Sequence, residues 1–334
     1  MDQPWRRTDR RNRPTALGFE LVRIESGSGG KVIAMKRQRG AVRIGVSGWT
    51  YAPWRGNFYP EGLPQKCELS YAAQQFNALE INGTFYGLQR PETFARWAEE
   101  TPDDFVFAVK GSRFITHVKR LTDIEAPLAN FLASGLLELG EKLGVLLWQL
   151  PPNFAFDAET IGAFLETLPK DMEAAAAFAA RHAQRVDGRA SVAAKAPGPL
   201  RHALEIRHDS FRDPAFIDLL RAHGVALVCA DTVKWPRLMD LTADFAYCRL
   251  HGSTELYRSR YEDAAIEQWA GRVSAWAEGR PMHDGEFVGS KKAPARPRDV
   301  FVFFDNTDKL HAPDDARRLA ALVGKGRARR DAAA

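Results

Sequence analysis

Eight short apolar segments recur along the chain, and most of them end in charged or hydrogen-bonding residues. They are Val42–Trp49, Leu79–Tyr86, Phe105–Ser112, Val145–Pro151, Ala203–His208, Ala226–Asp231, Phe245–His251 and Val300–Asn306. Stretches with helical patterning separate most of them, and strands that alternate with helices are typical of a parallel sheet. Eight such units in one α/β domain predict a closed (β/α)8 barrel, in which functional side chains lie at the C-terminal ends of the strands.

The basic charge of the chain lies outside the predicted barrel. The formal net charge of the 334 residues is +5, but residues 1–40 hold ten Lys/Arg against four Asp/Glu, and residues 325–334 hold four against one. We predict a basic disordered N-terminal arm at 1–40, a barrel at 41–324 and a basic disordered C-terminal tail at 325–334, because neither end has a periodic apolar face to offset the entropy of ordering. Such basic ends could contact nucleic acid.

Cysteine use and hydropathy indicate the compartment. Cys67, Cys229 and Cys248 show no paired spacing, which favours a reducing environment over a disulfide framework or a cysteine-based zinc site. No run approaches the ~18 apolar residues of a membrane span, and the N-terminus has no apolar signal segment. We therefore predict a cytoplasmic protein with no membrane partner.

An insertion is predicted between the fourth and fifth strands. Residues 171–201 contain an Ala-rich helical segment and a loop rich in Gly, Pro, Lys and Arg, which is more than a βα connection requires. A lid over the site and a surface decoration are both compatible with this segment.

Side-chain alternation assigns the polar residues of the strands to one face. In a barrel one set of side chains packs on the outer helices and is apolar, whereas the other set faces the axis. This parity predicts an upper interior layer of polar and charged residues: Ser47, Trp49, Glu80, Asn82, Lys110, Gln149, Glu205, Arg207, Asp231, Arg249 and His251, with Asp305 or Asn306 from the last strand. A purely structural interior would consist mostly of branched aliphatic residues, so this layer predicts a site.

Several motifs of the chain occur together and in a fixed order. They are Gly45–Tyr51 with Trp54, Gly56 and Phe58–Pro60, then Glu80–Tyr86, Lys110 with Phe114–His117, Trp148–Phe154, Glu205–His208 with Ser210–Phe211, and Arg249–Gly252 with Tyr257 and Tyr261. In this combination the chain resembles the YecE-like proteins, the family called domain of unknown function 72, over roughly residues 42–323. The resemblance implies a TIM barrel and no established activity.

Two features depart from the family pattern. The last strand ends in Asp305-Asn306, where the family has an Asn-Asn pair, so this chain would carry an additional negative charge at that position. The insertion at 171–201 is also absent from the minimal pattern.

The first functional hypothesis is an acid–base enzyme, hydrolase-like or isomerase-like. Glu80, Glu205 and Asp231 are the candidate catalytic residues, because carboxylates on separate strands that face one axis can act as general acid and base on a polyol or glycoside. Lys110, Arg249 and His251 could hold a phosphate or carboxylate group. The aromatic rings of Trp49, Tyr86 and Trp54 offer flat faces to a sugar or base. The predicted ligand is a small polyhydroxylated molecule with one anionic group.

Three alternatives remain open on the sequence. Carboxylates and His251 could ligate Mg²⁺ or Mn²⁺, although the neighbouring cations oppose this; we otherwise predict no cofactor. The protein could bind nucleic acid or a metabolite without catalysis, through its basic ends and aromatic residues. Finally, the charged layer could be a self-satisfied ion network that only closes the barrel.

Overall fold

The computed structural model describes residues 19–25, 31–37, 39–183, 186, 188–252, 260–305 and 310–331, with side chains described between residues 39 and 324. Eight parallel strands form a closed barrel in the order β10-β3-β4-β5-β6-β7-β8-β9. These strands are β3 (Val42–Ser47), β4 (Ala78–Ile81), β5 (Val106–Lys110), β6 (Leu143–Gln149), β7 (Arg201–Glu205), β8 (Ala226–Asp231), β9 (Phe245–Leu250) and β10 (Asp299–Phe304). The predicted (β/α)8 barrel is confirmed.

Helices connect the strands on the outside of the barrel. They are α1 (Glu68–Gln75), α2 (Gly83–Tyr86), α3 (Pro91–Glu99), α4 (Glu125–Ala133), α5 (Ala158–Thr167), α6 (Met172–Ala179), α7 (Pro214–His223), α8 (Asp263–Glu278) and α9 (Ala312–Asp331). Local chemistry sets several of their starts. The side chains of Asp157 and Asp213 cap α5 and α7 by accepting hydrogen bonds from backbone N–H groups of the first turn.

Most barrel strands end earlier than the sequence predicts, and at two of them the difference moves candidate site residues. Gly48 has φ +74°, a left-handed conformation that stops β3 at Ser47. The second strand ends at Ile81, and the chain turns at once into the short helix α2. Residues beyond these points no longer follow strand alternation.

Two sets of side chains form the core, as parity predicts. The larger set packs between strands and helices, and the smaller set fills the barrel interior. The interior set comprises Ala78, Ala108, Val145, Leu147, Ala203, Ala226, Val228, Ala243, Phe245, Tyr247, Phe301 and Phe303. Small residues on most strands leave room for the aromatic rings of β9 and β10, so the lower interior is filled and the polar layer lies above it.

The ends of the chain contain secondary structure that the sequence analysis did not predict. Within the N-terminal arm, β1 (Phe19–Glu25) and β2 (Lys31–Arg37) pair as an antiparallel hairpin. Two apolar-rich segments separated by a Gly-rich stretch suit such a hairpin. At the other end, α9 continues to Asp331, beyond residue 324. The division into arm, barrel and tail stays a prediction.

The insertion between β6 and β7 lies against the outer helices. Helix α6 packs on α4, and Ser191 donates from its backbone N–H to the carbonyl of Ala133 and from Oγ to Glu138. Because α4 follows β5 and runs back from the C-terminal end of that strand, Ala133 lies toward the opposite end of the barrel. The described residues of the insertion therefore decorate the helical layer and do not cover the strand ends.

Along the described ranges, no helix combines the length and the apolar character needed to cross a membrane.

Candidate functional site

Arg249 is the centre of the polar layer at the C-terminal ends of the strands. Its fully buried guanidinium donates to Glu80 through Nε (3.0 Å) and Nη2 (2.8 Å), to Glu205 through Nη1 (2.7 Å), and to Asp305 through Nη2 (2.6 Å). The remaining Nη1 hydrogen has His251 Nε2 at 3.5 Å. All five donors of this side chain have an acceptor within the protein.

Glu80, on β4, is held by four donors. Ser47 Oγ donates to Oε1 (2.8 Å) and Tyr247 Oη donates to Oε2 (2.7 Å), in addition to the two bonds from Arg249. The side chain is fully buried. A carboxylate with every lone pair occupied cannot accept a substrate proton until one donor leaves.

Glu205, on β7, is held by donors from three side chains. Gln149 Nε2 (2.9 Å) and Arg207 Nε (2.8 Å) donate to Oε1, and Arg249 donates to Oε2. Burial raises the pKa of the Glu205 carboxyl, but the charges of Arg249 and Arg207 outweigh it and hold this pKa well below its usual range. The carboxylate therefore stays ionised, with its oxygens turned toward cations.

Replacing Glu205 by glutamine is expected to change how stability depends on pH. A carboxyl whose pKa is lowered by folding stabilises the folded state above its unfolded pKa near 4.5, and that contribution is lost as the pH falls toward the lower folded pKa. We expect Glu205→Gln to lose about 1–3 kcal/mol at pH 7 and to show a shallower decline below pH 4.5. Urea unfolding at several pH values measures both effects, with the exposed Glu61→Gln as control. Equal acid slopes in Glu205→Gln and the unmodified protein would contradict the assignment.

His251, directly after β9, is buried and electrically neutral. Burial, together with Arg249, lowers the pKa of its imidazole to about 4. Because arginine can only donate, Nε2 is the acceptor toward Arg249, and Nδ1–H faces Asp305 Oδ2 at 3.5 Å. His251 thus carries no positive charge at neutral pH, and Arg249 is already saturated. The expectation that these two residues hold an anionic group of the ligand is not supported by this geometry.

Lys110, the last residue of β5, differs from every other charged group of the layer. Its Nζ lies 4.3 Å from the ring centroid of Phe85, and no described residue offers it a hydrogen bond or an ion pair. The side chain is only 8% exposed. Burial and the charge of Arg249 lower the pKa of the amine to about 8, although Glu205, Glu80 and Asp305 act in the opposite direction.

Aromatic and basic side chains surround this amine. The ring of His117 contacts the ring of Phe85 edge-on, with centroids 5.0 Å apart. Burial lowers the pKa of His117 to about 4, assisted by the charges of Lys110, Arg207 and Arg113. The guanidinium of Arg207 lies 4.0 Å from the ring centroid of Trp235. Three cations therefore lie around His117 at the rim of the barrel.

The segment that carries His117 has an unusual backbone. Residues Phe114–Val118 form a π-helical turn, and Arg120, Leu121 and Asp123 have positive φ angles without being glycine. π-Helical turns and such strained residues occur often at functional sites. Both features lie in the connection that follows β5.

Asp231 does not belong to the layer, and the expectation that it faces the axis is wrong. Its Oδ2 accepts hydrogen bonds from Tyr261 Oη (2.9 Å) and Trp269 Nε1 (3.1 Å), and Arg237 Nη1 donates to Oδ1 at 2.8 Å. On β8 the interior positions are Ala226, Val228 and Ala230, so Asp231 falls on the helix-facing side with Cys229. There it fastens α8 to the barrel.

Three further candidates lie away from the Arg249 cluster. The turn at Gly48 directs Trp49 outward, where its ring meets Trp97 edge-on at 5.2 Å, so the inward orientation predicted for Trp49 is also wrong. Trp54 is fully buried in a loop core of aromatic rings. Tyr86 ends α2 and is 77% exposed, with its ring against Phe85. Asn306 lies outside the described residues.

Asn82 occupies the turn between β4 and α2, at the N-terminus of that helix. Its side-chain oxygen Oδ1 is buried, and none of the described residues donates a hydrogen bond to it. A buried oxygen that accepts no hydrogen bond lowers the stability of the folded state. Asn82 Oδ1 is therefore a candidate acceptor for a ligand hydroxyl.

The metal-binding alternative required Glu80, Glu205, Asp231, His251 and Asp305 to approach one ion. Asp231 lies on the other face of its strand, and Arg249 donates to the carboxylates of Glu80, Glu205 and Asp305. Across the part of the chain that the structure describes, no three His, Cys, Asp or Glu side chains form a group suited to a metal ion. In this arrangement the carboxylates of Glu80, Glu205 and Asp305 are paired with the guanidinium of Arg249.

The site also contains residues that sequence reasoning did not select. Tyr247 shares the parity of Arg249 on β9, so this signal was present in the sequence. His117 and Trp235 lie in loops, where alternation gives no information. Phe85 follows the break after Ile81, and only its place in a recognised motif marked it.

The sequence of the chain matches known proteins. A family model described as "Protein of unknown function DUF72" matches residues 43–334. The UPF0759 protein YecE of Escherichia coli is 31% identical over 129 residues, which are 38% of this chain and 44% of that protein, so the match spans less than half of YecE. The UPF0759 protein YunF of Bacillus subtilis is 22% identical over 318 residues, covering 84% of this chain and 94% of YunF.

Solved structures share the fold. A DUF72 family protein from Thermotoga maritima superposes with a TM-score of 0.65 at 24% identity, covering 85% of this chain and 99% of that one. A DUF72 family protein from Enterococcus faecalis gives 0.59 at 18% identity, covering 85% and 95%.

Proposed function

The chain belongs to the DUF72 family, whose description assigns no function, and we propose from the site itself that the protein is an enzyme of acid–base chemistry. Its proposed substrate is a small polyhydroxylated molecule with one phosphate or carboxylate group, bound at the C-terminal ends of the barrel strands. We likewise propose a cytoplasmic location, on the cysteine pattern described above.

The observation that carries the proposal is the Lys110 amine. Among the described residues it is a buried cation with no acceptor and no carboxylate within 4.0 Å. It lies over the ring of Phe85, and His117 contacts that ring edge-on. Its pKa, lowered by burial to about 8, allows the amine to exchange a proton near neutral pH. Strongly perturbed groups at strand ends of this fold usually mark a site. In this proposal Lys110 replaces Glu80 and Glu205 as the group that moves a proton.

Glu80, Glu205 and Arg249 then have a supporting role. Their mutual hydrogen bonds join three strands, and in this proposal they form the rigid charged floor of the site. Fixed charges in a buried environment can stabilise charge that develops on a substrate without reorganising. The self-satisfied network considered from the sequence is thus the floor of the site rather than an alternative to it.

Two features of the rim support the ligand class. The positive charges of Lys110, Arg207 and Arg113 around His117 favour an anionic group. The buried Oδ1 of Asn82 and the exposed ring of Tyr86 suit hydroxyl groups and the flat face of a sugar.

We expect sugar phosphates to raise the melting temperature of the protein, and Arg207→Gln to weaken this effect. Removing one charge-assisted contact is expected to lower the affinity roughly tenfold or more. Thermal-shift titrations measure it, with Arg237→Gln as the matched control, because Arg237 is paired with Asp231 outside the cluster.

Two outcomes would contradict the proposal. If neutral sugars stabilise the unmodified protein and Arg207→Gln equally, and anions stabilise neither, the ligand has no anionic group. Tight binding of oligonucleotides that weakens steeply with salt would instead favour the non-catalytic nucleic-acid binder.

A further inference from the structure

We propose that Lys110 is a nucleophile that forms an imine with an aldehyde or ketone carrying an anionic group. This inference rests on the proposed function, since it requires a small anionic molecule at the rim, and it narrows the substrate class to carbonyl compounds.

The surroundings of Nζ are those of a reactive amine rather than a structural one. Lys142, which is also partly buried, donates to the carbonyls of Ala98 and Thr101 and to Thr101 Oγ1. Lys110 has no such acceptor among the described residues. The Nζ atom has no hydrogen-bond partner among the described residues, yet it is not fully enclosed by protein. It therefore keeps contact with solvent at the rim. An incoming carbonyl carbon can therefore reach it without displacing a protein group.

Burial supplies the neutral amine that the chemistry needs. Only the unprotonated amine has a lone pair for attack, and desolvation beside Phe85 disfavours the ammonium form, in agreement with the lowered pKa of about 8. Lysines in apolar surroundings or beside another cation are activated in this way. Here both conditions hold, because the positive charge of Arg249 also lowers the pKa of Lys110.

The reaction balances without an external oxidant or reductant. The nitrogen lone pair attacks the carbonyl carbon, the C=O π electrons move to oxygen, and a proton passes from nitrogen to that oxygen to give a carbinolamine. Loss of the hydroxyl group as water, with a proton supplied by a neighbouring acid, leaves the C=N bond. Hydrolysis reverses these steps and restores Lys110.

Neighbouring groups suit both parts of this sequence. His117 is neutral and flanks the same Phe85 ring, with Nδ1 2.8 Å from Thr116 Oγ1. We assign the proton relay to this imidazole. The carboxylates of Glu205, Glu80 and Asp305 act on Lys110 in the direction that favours positive charge. The same field would stabilise a protonated imine.

Trapping the imine tests the inference on the full-length chain. Pyridoxal 5′-phosphate, an aldehyde with a phosphate, is added as the probe, sodium borohydride reduces any imine, and peptide mass spectrometry locates the label. At pH 7 we expect Lys110 to be labelled roughly tenfold faster than surface lysines or more, because its neutral fraction is larger, although the weaker base is intrinsically less nucleophilic. The rate should fall as the pH drops below about 8.

Variants and competitors make the result specific. Lys110→Met should lose the fast label, whereas Lys119→Met and Lys142→Met should keep it, and inorganic phosphate should slow it. If the surface lysines are labelled at equal rates and Lys110 is not labelled, the proposal that Lys110 forms an imine is wrong. If sugar phosphates still raise the melting temperature in that case, the anion site stands and only the imine fails; if they do not, the proposed function fails as well.

Discussion

Replacing Arg249 by methionine is expected to destabilise the protein by about 3–5 kcal/mol at pH 7, a large part of the stability of a typical domain. The guanidinium is the partner shared by Glu80, Glu205 and Asp305, and the first two are fully buried. Methionine fills similar space but leaves these carboxylates without their common cation. Urea unfolding of the two proteins at pH 7 measures the difference.

Matched variants separate this effect from a simple loss of volume. Arg249→Lys keeps the charge but loses the planar fork that bonds Glu80 twice, so we expect an intermediate loss. Exchanging the acids as well, in Glu80→Gln/Glu205→Gln/Arg249→Met, should recover part of the stability because the buried negative charge is gone. Arg237→Met removes a partly exposed partner of Asp231 and should cost less than about 1 kcal/mol. If Arg249→Met unfolds at the same urea concentration as the unmodified protein, the network does not stabilise the fold.

Strand alternation was sufficient to predict the fold and most of the buried polar layer around Arg249. It assigned Ser47, Glu80, Gln149, Glu205 and Arg249 to the barrel interior, and the structure bonds them into one network. The prediction works because a barrel buries one face of each strand under apolar helix faces, so ionisable residues are rare on that face and need a dedicated partner there.

Alternation failed for two residues, for different reasons. On β8 both faces are apolar, since Ala226 and Val228 face inward and Leu227 and Cys229 face outward, so the pattern does not determine the direction of Asp231. Trp49 was misplaced because one left-handed glycine ends its strand. Residue type alone shows neither which face of β8 is the inner one nor where the pairing of β3 stops.

The sequence also does not determine which groups each charged side chain pairs with. The layer was expected to contain three permanent cations facing several acids, but the composition does not say which cation is saturated. Arg249 has acceptors for all its donors, whereas Lys110 has none among the described residues, and this difference depends on side-chain positions of a few ångströms. Because of this difference, we assign the proton transfer to Lys110 rather than to Glu80 and Glu205.

Replacing Lys110 by methionine is expected to stabilise the protein at pH 7 while removing the response to anionic ligands. The pKa of Lys110 is about 8 in the folded protein, against 10.5 for an unperturbed lysine. The unfolded chain therefore binds the proton more tightly, which costs the folded state at most about 3 kcal/mol below pH 8. We expect Lys110→Met to gain roughly 1–3 kcal/mol at pH 7, measured by urea unfolding alongside ligand titration.

The pH dependence distinguishes this gain from better packing of methionine. Because the cost of the ammonium disappears as the folded amine loses its proton, the stability of the unmodified protein should rise between pH 8 and pH 10.5, and its difference from Lys110→Met should shrink over that range. Lys119→Met, at a more exposed position paired with Asp123, should change stability by less than about 0.5 kcal/mol and leave ligand binding intact. If Lys110→Met is instead less stable than the unmodified protein, by an amount that does not vary with pH, this lysine stabilises the fold. A residue kept for function at a cost to stability must instead increase the free energy of unfolding when it is replaced.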